Sequence, residues 1–180
     1  MSAPRDPRPL TGEPLALDLL NTRWMSEGSR QDLLTDVDGL AVWLDSAGLR
    51  DAHTPDAGML RHLLQAREAL HTVVDGSLEK GAPLVDAVLG HGRVRVSLTP
   101  QGPVERPELS DPAWAPAWLA ARNYLWLLGT APDRIRPCAH ESCVLHFFDT
   151  SRNGTRRWCS MATCGNRAKA SRHYARAKDA

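Results

Sequence analysis

The chain has 180 residues, 42% of them hydrophobic, and a formal net charge of +1 at pH 7. No apolar run approaches the roughly 20 residues that a membrane-spanning helix needs, which excludes a membrane span. The near-neutral total hides an asymmetry, because residues 1–133 hold 12 Lys/Arg and 18 Asp/Glu, whereas residues 134–180 hold 10 Lys/Arg and 3 Asp/Glu. An acidic body followed by a basic C-terminal part predicts a polyanionic partner for the second part, and also permits it to dock on the body.

The first ordered segment is expected after the proline-rich residues 1–12, in the run GEPLALDLLNTRW. Its leucines alternate like those of a strand, but three of them also suit a short helix behind Pro14, so periodicity leaves both open. Asn21 and Trp24 end this apolar run, and packing is their simplest role. The polar residues 26–32 predict a loop.

Two amphipathic helices are predicted next. The first is expected to begin at Thr35, with Asp38 as its capping-box partner, and to end at Gly48. The second is expected to begin at Thr54 and Pro55, which suit a cap and the first helical position.

Arg67 interrupts the apolar stripe of the second helix. A buried arginine must be paired, either with an internal carboxylate such as Asp18 or with an anionic ligand. If the body contains a ligand pocket, we expect Asn21, Trp24 and Arg67 to line it, because they offer an amide, an aromatic face and a cation beside an apolar core.

The rest of the body is predicted as a short helix, a hairpin and a long helix. Pro83 is expected to start the helix 84–89, and residues 93–98 alternate as a half-exposed strand whose edge partner is 104–109. Asp111 and Pro112 are expected to open the longest helix. Its predicted core face is Trp114, Trp118, Ala121, Leu125 and Leu128.

All four cysteines lie near the C-terminus as C-x4-C, fifteen intervening residues, and C-x4-C. Two disulfides or four unrelated thiols are the alternatives, but Met1 to Pro9 contains no secretory signal, so we expect reduced thiols. Four thiolates complete a closed tetrahedral shell around Zn²⁺. The pattern therefore predicts one structural zinc ion held by Cys138, Cys143, Cys159 and Cys164, whose binding energy is largely the folding energy of this module.

The metal ligands are expected to bracket a hairpin. Residues 145–148 and 156–158 predict two short strands joined by a turn at Asn153-Gly154, and Cys164 is expected to begin a basic helix. The order of knuckle, hairpin, knuckle and helix around one zinc ion describes a treble clef.

The run Cys164-Gly165-Asn166-Arg167 resembles the motif of the CGNR zinc finger, and GEPLALDLLNT with the later Arg67-Glu68-Ala69-Leu70 is similar to the ABATE domain of stress-induced bacterial transcription regulators. The resemblance implies two parts. Residues 10–130, the body, would be an α/β ligand-binding domain, which the elements predicted above make mainly helical with a small β-hairpin or sheet, so the fold class is α+β. Residues 134–178, the finger, would be a DNA-binding treble-clef zinc finger.

The finger's basic residues predict contact with duplex DNA, because arginine pairs in two-pronged fashion with phosphate or guanine. The expected contacts are Arg152, Arg156, Arg157, Arg167, Lys169, Arg172 and Arg176. We expect a cytoplasmic regulator with a small-molecule effector, and a homodimer that reads two half-sites.

Three alternatives remain. The finger is a protein-interaction platform, or a thiol redox sensor that loses zinc on oxidation. Phe147, Phe148 and Trp158 are expected to pack the small core of the finger, and the alternative is that they contribute to the interaction surface. An enzyme such as a metal-dependent nuclease is disfavoured, because the all-cysteine shell leaves no open metal position for water.

Overall fold

The part of the chain that this computed structural model describes, residues 5–170, contains five α-helices, three two-stranded antiparallel sheets and a π-helical turn that continues as helix over 166–170. The body contains α1 (Leu15–Leu20), β1 (Arg23–Ser26), β2 (Ser29–Asp32), α2 (Val37–Ser46), α3 (Ala57–Val74), α4 (Leu78–Leu89), β3 (Gly92–Thr99), β4 (Gly102–Leu109) and α5 (Ala115–Thr130). The finger contains β5 (Ile135–Pro137), β6 (His146–Phe148) and the π-helical turn Met161–Gly165. This is the predicted α+β arrangement.

Helix α1 lies at the centre of the molecule, where it contacts α3, α5 and β6. Ala16, Leu17, Leu19 and Leu20 are each at most 1% exposed, so the helix is buried on all sides and its apolar residues form no single stripe. The amide of Ala16 in its first turn donates to Asn123 Oδ1 of α5 at 3.0 Å, which satisfies a donor that a helix N-terminus leaves unpaired. The ambiguous apolar run is therefore a helix.

The loop predicted at residues 26–32 is wrong, because β1 and β2 form a hairpin there. Ser26 pairs with Ser29 across the two-residue turn Glu27-Gly28. Both turn residues have positive φ, 49° and 80°, as the tightest hairpin turns require. These strands were predicted as a loop because of their polar composition.

Aspartates cap the next two helices, not the predicted threonines. Asp36 accepts a hydrogen bond from Gly39 N at 2.8 Å, and Asp56 accepts one from Met59 N at 2.8 Å. The two caps therefore lie one residue and two residues later than predicted. An ionised carboxylate at the cap satisfies an orphan amide and also favours the positive end of the helix dipole.

The predicted hairpin of β3 and β4 is confirmed, with Val94 paired to Pro107. Helix α4 begins at Leu78, so Pro83 lies inside it rather than at its start. Helix α5 has 16 residues and is shorter than α3 with 18. It turns Tyr124 inward, while the predicted core residue Leu125 is 45% exposed.

The finger pairs its strands differently from the prediction. Strand β6 pairs with β5, in the register Arg136 with Phe147, and residues 156–158 form no strand. The loop between β6 and residues 156–158 is organised by the buried carboxylate of Asp149, which accepts hydrogen bonds from Ser151 N at 2.9 Å and Arg156 N at 3.0 Å. Burial raises the pKa of Asp149, but these hydrogen bonds outweigh it and the net pKa lies below the usual value.

The finger and the body share one apolar core. Phe147 of β6 is fully buried in the same cluster as the leucines of α1. Phe148 N donates to Glu13 Oε2 at 2.8 Å, just before α1. Among residues 5–170, none of the helices has the length and apolar character needed to cross a bilayer.

Candidate metal centre and its surroundings

The four cysteines converge from two separate turns. Cys138 follows β5 and Cys143 precedes β6, so the first pair lies in the loop of that hairpin. Cys159 precedes the π-helical turn and Cys164 lies within it. The four Sγ atoms all lie within 4.8 Å of one another, which brings the whole predicted ligand set together.

The sulfur spacing fits a zinc ion. Four sulfurs held at about 2.3 Å from a tetrahedral zinc lie about 3.8 Å from each other. Here Cys143 Sγ lies 3.8 Å from Cys159 Sγ, and Cys159 Sγ lies 3.6 Å from Cys164 Sγ. The donor set is all sulfur and three of the four residues are buried, as expected for a closed structural site.

Backbone hydrogen bonds hold the two turns against each other. Cys159 N donates to Cys138 Sγ at 3.4 Å, and Ala139 N donates to Arg157 O at 2.8 Å. Cys143 N donates to His140 O at 2.9 Å, which closes the first turn. The ligand positions are therefore set by the backbone of both knuckles.

Without a cation, the thiols cannot all ionise. Hydrogen bonds from Cys143 and Cys159 lower the pKa of Cys138, while the bond to Cys138 raises the pKa of Cys143 to about 12 and raises the pKa of Cys159. One thiolate is stabilised at the expense of its neighbours. A bound Zn²⁺ supplies the charge that lets all four become thiolates.

Two family models match the chain in the order that this geometry suggests. The CGNR zinc finger matches residues 134–177, around the four converging thiols. The ABATE model, described as "Putative stress-induced transcription regulator", matches residues 13–131. The chain belongs to the ABATE family. A search of curated proteins finds no match.

Arg167 of the CGNR motif lies beside the metal centre. It lines a cavity of about 60 Å³ together with Cys143, Cys159 and Cys164. Zinc with four thiolates carries a net charge of −2, so a guanidinium at this position offsets it. The structure thus places one predicted DNA contact next to the zinc shell.

Arg156 is committed to the protein. Its guanidinium donates to the carbonyl oxygens of Trp158 and Cys159, lies over the ring of Phe147 at 4.3 Å, and pairs with Glu13 of the ABATE body at 3.5 Å. This predicted DNA contact therefore ties the second knuckle to the body.

The remaining predicted contacts within the described residues face solvent, and Arg167 is exposed as well. Arg152, Arg157 and Lys169 are exposed, and Arg157 lies over the ring of Trp158 at 5.3 Å. Arg172 and Arg176 lie outside the described residues.

The predicted pocket residues of the ABATE body have partners within the protein. Arg67 is 1% exposed and makes two hydrogen bonds to Asp32, at 2.7 and 2.8 Å. Its internal partner is therefore not Asp18, which instead binds Arg8 at 2.7 Å. Asp32 was not predicted as the partner of Arg67, because its strand was predicted as a loop.

Asn21 and Trp24 are also packed. Asn21 is fully buried and its amide binds the backbone of His146 in the CGNR finger. Trp24 is 9% exposed. Ligand binding by these two residues and Arg67 stays a prediction.

A polar cavity of about 410 Å³ lies where the ABATE body meets the CGNR finger. Arg23, Arg30, Glu68 and His71 line it from the body, and His146 lines it from the finger. The sequence placed none of these residues in a site, because they come from three segments far apart in the chain. The useful signal was the i, i+3 spacing of Glu68 and His71 next to Arg67 on one helix.

Proposed function

We propose that this protein is a DNA-binding transcription regulator in which a treble-clef zinc finger contacts duplex DNA and the body responds to a ligand or to stress. The family supports a regulatory role in general, and the carrying observation is the exposed positive charge of the finger. Residues 134–180 carry a net charge of +7 while the preceding residues carry −6. Phosphate attraction supplies most nonspecific binding to DNA.

The exposed cations of the finger are the proposed phosphate contacts. Arg152 lies in the loop after β6 and Lys169 on the final helix, and neither makes an ion pair within the described residues. Arg157 is exposed above Trp158. Side chains without a protein partner can bind phosphate without first breaking an ion pair.

Arg156 and Arg167 are assigned different roles. Arg156 is held by Glu13 and by two carbonyl groups, and Arg167 lies beside the thiolates. The proposal therefore assigns phosphate contact to Arg152, Arg157 and Lys169, and keeps Arg172 and Arg176 as predicted contacts.

The proposal places the protein in a bacterial cytoplasm and gives it no catalytic role. The zinc site is formed by four cysteines, which fill a tetrahedral shell and leave no position for an activated water. A homodimer remains part of the proposal because a single finger has a small DNA footprint. A small-molecule effector also remains part of it.

A protein-interaction module is the second candidate, and one surface favours it. Leu78 is 61% exposed, Leu125 is 45% exposed and the neighbouring Trp126 is 61% exposed, on α4 and α5 of the body. Of the aromatic residues first suggested for this role, Phe147 does not suit it because it is fully buried, whereas Phe148 and Trp158 are partly exposed. Exposed apolar area of this kind suits a second copy or another protein.

The deciding experiment is a fluorescence-anisotropy titration of the zinc-loaded protein against duplex DNA, single-stranded DNA and RNA over a range of salt concentrations. The variant Arg152→Gln/Lys169→Gln removes two exposed charges from the finger. The control Lys80→Gln/Arg106→Gln removes two exposed charges from the body.

We expect duplex binding that weakens with salt. The finger variant should lower the slope of log affinity against log salt by about 2, and the control should leave it unchanged. Absence of duplex binding at low salt, or equal loss in both variants, would contradict the proposal. The interaction module would then be tested by measuring the oligomeric state of the protein and of its Trp126→Gln variant.

A further inference from the structure

The polar cavity between body and finger is formed by both units. Arg23 and Arg30 come from the β1–β2 hairpin, and Glu68 and His71 from α3. His146 comes from β6, three residues after the zinc ligand Cys143, which also lines the cavity. A molecule bound here would touch the body and the finger at once.

Two imidazole nitrogens in this wall have no hydrogen-bond partner. His146 is 6% exposed and its Nδ1 is buried and unpartnered, as is Nε2 of His71. The two rings meet edge to face, with centroids 6.4 Å apart. A buried polar atom without a partner costs about 1–3 kcal/mol, and each of these two atoms belongs to a ring that lines the same cavity.

The imidazoles are uncharged hydrogen-bonding groups. Burial lowers the pKa of His71 and of His146, so both rings are neutral near pH 7. Each can donate or accept a hydrogen bond according to its tautomer. They therefore suit a polar ligand of either sign and do not select an anion by charge.

The charged groups of the cavity are balanced. Arg23 is paired with Asp32 at 3.1 Å and with Glu68 at 2.7 Å. The other two charges belong to Arg30 and Asp75, exposed residues that line the cavity and form no ion pair within residues 5–170. The charge of Asp75 raises the pKa of both imidazoles, against the larger effect of burial. The cavity thus presents one free cation, one free carboxylate and two neutral imidazoles.

This combination disfavours simpler ligands. A bare anion would leave Asp75 unpaired, and a bare cation would leave Arg30 unpaired. A metal ion is not favoured, because within the described residues only the four cysteines bring three or more ligand atoms close together. A molecule that carries both charges satisfies both free groups.

We propose that the cavity between the body and the finger binds a small zwitterion of the α-amino-acid class, with its carboxylate at Arg30 and its ammonium group at Asp75. The imidazoles of His71 and His146 bind the polar atoms between them. The ligand joins α3 to β6 and so stabilises the docking of the finger on the body. The effect of this ligand on DNA affinity rests on the proposed function, whereas the binding of the ligand to the cavity does not.

The test uses the zinc-loaded full chain and each common L-amino acid singly at millimolar concentration, with thermal shift followed by calorimetry. For the best ligand, the deaminated acid and the decarboxylated amine serve as matched probes. We expect at least one amino acid to bind and both probes to bind at least about tenfold more weakly, because each leaves one charged group unpaired.

The variants Arg30→Gln and Asp75→Asn test the assignment. Both residues form no ion pair in the described part of the chain, so the substitutions should leave the fold intact, as circular dichroism would verify. Each should weaken binding about tenfold or more, whereas the matched body variants Arg106→Gln and Asp51→Asn should not change it.

The proposal is overturned if no amino acid binds, if either probe binds as tightly as the zwitterion, or if the cavity variants bind like the controls. DNA anisotropy with and without the ligand is measured separately. Ligand binding without any DNA binding would support the cavity and refute the transcription-regulator proposal. DNA binding without ligand binding would support the transcription-regulator proposal and refute the cavity proposal.

Discussion

Asn21 and His146, 125 residues apart, bind each other through two hydrogen bonds. Asn21 Nδ2 donates to His146 O at 2.8 Å, and His146 N donates to Asn21 Oδ1 at 2.9 Å. The side chain of Asn21 therefore pairs with a strand of the finger as a neighbouring backbone would. Because Asn21 is fully buried at the end of α1, this amide fixes the finger to the body.

Replacing Asn21 by leucine should destabilise the protein by about 2–5 kcal/mol, because it leaves the buried N–H and C=O groups of His146 without partners. Urea unfolding at neutral pH measures the change. Thr72→Val is a matched control, since it removes an exposed hydroxyl that bonds only to the carbonyl of Glu68 in its own helix. A loss below about 0.5 kcal/mol in Asn21→Leu would show that the amide does not hold the finger.

Zinc removal should melt the finger and weaken the body. The protein should contain one zinc ion per chain, held by the four cysteines. Chelation leaves thiols that cannot all ionise, and the fold around Phe147 loses the metal energy that replaces a larger core. We expect lower helicity, an earlier thermal transition and recovery on adding zinc. An unchanged transition after verified zinc loss would contradict a structural metal.

Local patterns predicted the zinc site and the family, but not the contacts between distant segments. The spacing of Cys138, Cys143, Cys159 and Cys164 was enough to predict the zinc site, because one short turn brings the two sulfurs of each pair together. The partner of Arg67 depended on Asp32, which lies in a hairpin of polar residues with no apolar alternation. Nothing in the sequence linked these two positions.

The finger shows the same limit. Residues 156–158 were predicted as a strand, yet β6 pairs with β5, which precedes the first knuckle. Arg156 was predicted to be a DNA contact from its charge alone, and the sequence did not predict that it packs over Phe147 and pairs with Glu13. Charge shows what a side chain can bind, whereas burial and neighbouring residues determine what it does bind.

The ion pair of Arg67 and Asp32 should make stability depend on pH. Burial raises the pKa of Asp32, but hydrogen bonds and the charge of Arg67 outweigh it, so its folded pKa lies below the unfolded value of about 4. The stabilisation is therefore present above about pH 4 and is lost as pH falls through the folded pKa. Free energies of unfolding measured from pH 7 down to pH 3 test for this loss of stabilisation.

Asp32→Asn should cost about 3 kcal/mol at pH 7, because Arg67 becomes a buried cation without a counter-charge. The difference from the wild type should shrink as pH falls from about 4 towards the lower folded pKa, at which Asp32 of the folded wild type becomes protonated. Arg23→Gln, which removes the half-exposed partner of the same carboxylate, should cost no more than about 1 kcal/mol. A pH-independent difference would contradict this account.

Arg156 and Arg152 should respond in opposite ways to the same substitution. Arg156→Gln should lower stability by about 1–3 kcal/mol, since it removes charged hydrogen bonds to two carbonyl groups and the contact with Glu13. Arg152→Gln should leave stability within about 0.5 kcal/mol and reduce the salt slope of DNA binding by about 1. Thermal denaturation and anisotropy on both variants separate the two roles. A stable Arg156→Gln protein with weakened DNA binding would return Arg156 to the DNA surface.

Arg167 should act on zinc before it acts on DNA. Its side chain lines the cavity beside three of the four cysteines, where it offsets the negative charge of the metal centre. Loss of a residue that supports metal ligands typically lowers metal affinity about 10–100-fold, so Arg167→Gln should release zinc to a competing chelator about tenfold more readily. Lys169→Gln, two residues further along the same helix and exposed, is the matched control and should release zinc like the wild type. Equal zinc release by both variants, with reduced DNA affinity in Arg167→Gln, would assign Arg167 to the DNA surface instead.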